Sequence, residues 1–138
     1  MFYTYSGHTS ACAAADKVLE IMEREDLVAR SAEKGEALRE RLEAALGQHP
    51  NVAEIRGRGL FFGLEIVADR ETLDMFPIEE NMTTRIVAAG VREGVFYYSG
   101  GTGVVRDIIC IGPSFTVEDS ELDRIAETLK RAIDTAVA

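Results

Sequence analysis

"LFFGLEIV", Leu60–Val67, decides the class of fold by the way its side chains alternate. Leu60, Phe62, Leu64 and Ile66 take every second position, with Phe61, Gly63, Glu65 and Val67 between them. A strand turns successive side chains to opposite faces, so the pattern predicts a strand with one face more deeply buried than the other. "EIRGRG", Glu54–Gly59, reads as the run-in to that strand.

Upstream the period is helical. Apolar residues recur at Ala11, Ala15, Val18 and Met22, widened by Ala14 and Ile21, which predicts a helix from Ser10 to about Arg24. A second helix carries Leu27, Ser31, Gly35, Leu38, Leu42, Ala45 and Leu46 along one side of a charged cylinder and stops at "GQHP", Gly47–Pro50. Downstream, 68–81 has no clear period and reads as a surface connection with room for a helical turn. A helix is expected from Met82 to Glu93, then a short strand in "VFYY", a flexible "SGGTG" at Ser99–Gly103, and a β-branched strand in "DIICIGP", Asp107–Pro113. These two strands are expected to pair as a hairpin with a long loop. In "TVED", Thr116 is the expected N-cap of a last helix with Leu122, Ile125, Leu129, Ile133 and Ala136 on one face. The order implies an α+β fold: a small, mainly antiparallel sheet with helices over one face.

The bulk numbers bound the function. A chain of 138 residues, 46% hydrophobic and 28% charged, suits one globular domain with its own core. A net charge of −9, without any Lys/Arg block, argues against nucleic acid as a partner. The longest apolar stretch, Leu60–Val67, contains Glu65 and cannot span a bilayer, and no basic, apolar leader precedes the first helix, so a cytoplasmic location is expected. Cys12 and Cys110 lack metal-site spacing and are expected as buried free thiols.

Most chemical motifs dissolve on inspection. Gly57, Gly59 and Gly63 imitate a dinucleotide fingerprint, but that motif needs a helix after the glycines and here a strand follows. Ser6, His8, Ser10 and Cys12 lie too close in sequence to form a nucleophile and base, and His49 falls in a helix-stop turn. Glu79 and Glu80 fit a solvated loop, and Glu118 and Asp119 a helix N-terminus that favours negative charge. Arg56, Arg58 and Arg106 sit at strand or loop ends, where a guanidinium can fork onto a carboxylate or phosphate or form a surface ion pair. The hydroxyls of Thr4, Ser6 and Thr9, just ahead of a helix, can hold an anion at its free N–H groups or serve an ordinary capping turn.

Three segments taken together carry a further signal. "YTYSGHTSACAAADKVLEIMERE", "HPNVAEIRGRGLFFGLEIV" and "DIICIGPSFTVEDSELDRI", in this order, resemble the C-terminal part of class III (omega-type) aminotransferases, which depend on pyridoxal phosphate. The resemblance runs from about Tyr3 to the C-terminus. It implies that residues 1–24 end a large domain and supply a connecting helix, and that 25–138 form the C-terminal small domain of a fold-type I enzyme. It further implies a homodimer in which Thr4 donates to the cofactor phosphate in the other subunit's site, with Tyr3 flanking that site. An arginine that some members use to grip a substrate carboxylate is missing from "GVFYYSGG", where Tyr97 and Tyr98 stand, and Arg106 is the substitute considered. The family commonly has proline where this chain has Thr9, itself able to cap.

The same resemblance places the Schiff-base lysine and its supporting acid upstream of this sequence, in a cofactor-binding domain that is absent. Lys17, Lys34 and Lys130 are the only lysines, and all three fall in expected helices. The expectation is therefore a piece of a transaminase that moves an amino group between an amine or amino acid and a keto acid, inactive by itself. The alternative is a free-standing, non-catalytic domain that binds a ligand or protein.

Overall fold

A computed structural model describes residues 4–101 and 103–138. Helix α1 (Thr9–Arg24) leads into α2 (Leu27–Leu46); strands β1 (Val52–Arg58) and β2 (Phe61–Ile66) follow. After a single 3-10 turn at Ile78–Glu80 come α3 (Met82–Arg92), β3 (Tyr98–Gly100), β4 (Ile108–Ile111) and α4 (Asp119–Val137). The four strands form one antiparallel sheet in the order β1-β2-β4-β3. The expected α+β layout is the one found.

The alternation in β2 places Phe62, Leu64 and Ile66 in the core, joined by Ile109 and Ile111 of β4 and by Leu38, Leu42 and Leu46 of α2. From α4 come Leu122, Leu129 and Ile133. Phe61, on the opposite face of β2, is 66% exposed. Helices α2 and α4 run parallel, as a ladder of ion pairs shows: Arg30–Glu118, Lys34–Asp119, Arg41–Asp123 and His49–Asp134, advancing along both helices together.

Four local expectations need correction. Glu54–Gly59 is not merely a run-in: β1 is a strand of its own, hairpinned to β2 with Arg58 opposite Phe61. Gly59, with φ +55°, supplies the positive dihedral that a two-residue hairpin loop requires. A Cβ on Gly57 would strike the Phe61 carbonyl, so the position facing the core in β1 holds glycine and the alternation is interrupted there. This hairpin also removes the nucleotide reading, since no helix follows the glycines.

The strand expected in "VFYY" begins only at Tyr98 and takes in Ser99 and Gly100, which the sequence pattern reads as loop. Tyr97 is buried instead, its hydroxyl donating to the Ile125 carbonyl at 2.8 Å. Burial pushes its phenol far above the usual range. The last helix is capped by Glu118, not Thr116: Glu118 and Glu121 exchange side-chain and backbone bonds in a capping box, while the Thr116 hydroxyl meets Ser114 at 2.9 Å. Finally, Cys12 is exposed and Cys110 half-buried, so neither is a buried core thiol. Cys12 lies on α1, which buries none of its residues.

Candidate functional site

The segment Thr4–Gly7 is a turn that delivers the chain into α1. Gly7 takes φ +74°, a left-handed conformation suited to glycine. His8 is then extended, and its Nδ1 accepts from the Ala11 N–H at 3.4 Å, which makes His8, not Thr9, the cap of α1. Thr4 is exposed at the outer end of this turn and has no partner among the described residues. Its hydroxyl and N–H are therefore available to an acceptor from outside. Tyr3 lies outside the described residues.

The other suspected chemistry in this segment is not assembled. Among the described residues no group of three His, Cys, Asp or Glu side chains is placed to hold a metal ion. His49 is structural: its Nδ1 accepts from the Asn51 N–H at 3.1 Å, which leaves Nε2 to donate to Asp134 at 3.0 Å. Lys130 and His49 together hold the Asp134 carboxyl below its usual range. The three lysines are each engaged on a helix surface, Lys17 with Glu20, Lys34 with Asp119 and Lys130 with Asp134.

The three singled-out arginines meet different fates. Arg106 donates to the Phe76 carbonyl at 3.2 Å, tying the loop before β4 to the long connection after β2. Arg56 is paired with Glu54 and Glu65. Arg58 is exposed and has no partner among the described residues. Register puts Arg56, Arg58, Phe61, Gly63, Cys110 and Tyr98 on one face of the sheet, away from the core. A groove of about 360 Å³ lies on that face between Phe61 and Ile108.

Asp107 escaped the sequence reading. It is 8% exposed, and the Thr83 backbone N–H in the first turn of α3 favours its charged form. That helix needs an outside cap, because Asn81 spends its side chain on the Glu79 carbonyl and makes no capping bond. Burial pushes the Asp107 carboxyl up, opposed by Arg106 and by the Thr83 bond. An acid directly ahead of a β-branched run was the visible signal, but only the tertiary contact gives it a partner.

The comparisons with known proteins agree over nearly the whole chain. A family model described as aminotransferase class-III matches residues 3–133. The chain belongs to the class III aminotransferases. An uncharacterized aminotransferase of Schizosaccharomyces pombe is 41% identical over 140 residues, which cover 99% of this chain and 30% of that protein. A taurine–pyruvate aminotransferase of Rhodobacter capsulatus is 33% identical, with 94% of this chain and 28% of the relative aligned. The solved (S)-enantioselective omega-transaminase of Thermomicrobium roseum superposes with a TM-score of 0.88 at 32% identity, covering 100% of this chain and 30% of its own. The class III chain thus spans about 30% of the length of the relatives it matches.

Proposed function

We propose that this chain is the C-terminal part of a pyridoxal-phosphate aminotransferase that, when whole, moves an amino group between an amine or amino acid and a keto acid. The observation that carries this is the match of sequence and fold over essentially the entire chain to about 30% of full-length transaminases. The proposed parent is a cytoplasmic homodimer. Residues 1–24 close its large domain and supply the connecting helix α1, and 25–138 form its small domain. The absence of any fully buried residue in α1 supports that division, because the exposed Val18 and Leu19 belong to a surface that a large domain would cover.

Thr4 suits the cofactor phosphate. Its hydroxyl and N–H stand free on an exposed turn, and short neutral donors of this kind bind phosphate oxygens without adding a competing charge. Tyr3 is proposed to flank the same site. Bound pyridoxal phosphate supplies an electron sink for the carbon that loses its proton. This chain's share is to hold the phosphate and wall the site. Its three lysines, each held in an ion pair on a helix, are proposed to take no covalent part, so the chain alone is inactive.

Two measurements test the reading. Incubated with pyridoxal phosphate and borohydride, the 138-residue chain should acquire no stoichiometric adduct on any single lysine and should transfer no amine. One lysine labelled to completion, with turnover, would overturn it. In the parent restored with its upstream part, Thr4→Ala should weaken cofactor retention by ~1.5–3 kcal/mol, the worth of a hydrogen bond to a charged group. Unchanged cofactor affinity would remove Thr4 from the site.

A further inference from the structure

The break between α1 and α2 is not dictated by the residues that form it. From Thr9 to Lys34 the chain has neither glycine nor proline, and Glu25 and Asp26 are the whole of the connection. Such a run contains no ordinary helix stop. The change of direction rests on Asp26, whose φ of 49° and ψ of 43° are left-handed, a conformation that glycine or asparagine usually supplies at a helix end. Its side chain makes no capping bond in return.

Local forces favour removing the break. The Arg30 N–H donates to the Asp26 carbonyl at 3.0 Å, so the N–H groups of Leu27, Val28 and Ala29 head α2 ahead of its first helical bond. With Asp26 right-handed, these three donors would reach the carbonyls of Glu23, Arg24 and Glu25, and one helix would run from Thr9 to Leu46. Only a thin contact opposes this. Leu27 is buried and Ile21 and Met22 are half-buried, while every other residue of α1 is exposed. At 3.6 residues per turn, Val18 and Leu27 lie on opposite sides of a continuous helix, so straightening turns the apolar stripe of α1 away from the side of α2 that packs on the core.

We propose that Asp26 is a one-residue hinge, and that in the 138-residue chain α1 exchanges between the bent arrangement and a single helix continuous with α2. A surface that touches α1 and the core together selects the bent form, because only there do both lie within its reach. The hinge belongs to this chain and stands whether or not the aminotransferase reading does.

The test places spin labels on Cys12 and on Glu40→Cys, both exposed positions, with Cys110→Ser to leave two sites, and reads their separation by pulsed electron resonance. A continuous helix sets the two backbones about 42 Å apart at about 1.5 Å per residue, and the bend brings them closer. The natural residue at position 26 should give both distances. Asp26→Gly, which makes the left-handed conformation easy, should leave the short distance dominant. Asp26→Ala should raise the long-to-short ratio at least about fivefold over that of Asp26→Gly, the equivalent of a left-handed penalty of about 1 kcal/mol. One short distance in all three chains, a ratio that the substitutions leave unchanged, or a broad distribution with the helical carbon shifts of α1 lost would each overturn the hinge.

Discussion

Asp107 shows how one side chain serves the fold at a cost in solvation. Its carboxylate is hidden from water beside the first turn of α3, and burial outweighs both Arg106 and the Thr83 N–H in setting its titration. An Asp titrating above its unfolded value of about 3.9 contributes stability that is present below that value and is lost as pH rises through the folded one. Asp107→Asn keeps an acceptor for Thr83 without the buried charge. The variant should therefore match or exceed the natural chain in Tm at pH 7, and lose that advantage as pH is lowered toward 4. A natural chain that instead gains on the variant as pH rises would show that the Thr83 bond outweighs desolvation. Gly35 illustrates the opposite constraint, of space: a Cβ there would run into the Gly59 carbonyl at the hairpin turn. Gly35→Ala should cost roughly 1–3 kcal/mol by overpacking, read from urea unfolding, although alanine is the better helix former.

Elements are held by contacts that only partly announce themselves in sequence. Glu118→Ala should cost α4 about 1 kcal/mol of stability, the usual worth of a helix cap, whereas Thr116→Ala loses only a hydroxyl bond to Ser114 and should cost less in the same unfolding measurement. Equal losses would return the cap to Thr116. Both residues precede an apolar run, so local chemistry alone permitted either, and the reciprocal bond with Glu121 decides for Glu118. The same logic runs through the fold. Helices α2 and α4 and strand β2 were legible because their apolar periods are uninterrupted. Strand β1 was not, because Gly57 replaces a core side chain at the place where Phe61 approaches most closely. Tyr97 was assigned to a strand by its residue type, but its ring lies against Gly90 of α3 and its hydroxyl reaches α4. In the candidate site, the segment containing Thr4 was legible as a helix start. The separate fates of Arg56, Arg58 and Arg106 depend on cross-strand and long-range neighbours, which no local pattern records.

At the scale of the whole molecule, the core belongs to residues after 26, and α1 adds nothing buried to it. Removing residues 1–24 should leave Tm within a few degrees of the full chain, and in the full chain the amides of α1 should exchange with deuterium well ahead of those in α2 and α4. A collapse of the shortened chain would mean that α1 supports the core formed by the residues after it. The remaining contacts impose an order in time. The ladder from Arg30–Glu118 to His49–Asp134 joins groups 82 to 88 residues apart in sequence, and Leu129, Ile133 and Ala136 complete the core that β2 begins. During synthesis on the ribosome, α2 and the first hairpin emerge with their apolar faces bare and stay so until the final helix is released. Long-range closure of this kind slows folding and prolongs exposure to aggregation. The nascent chain is thus most dependent on chaperones in the interval before α4 emerges, while this interior is still open.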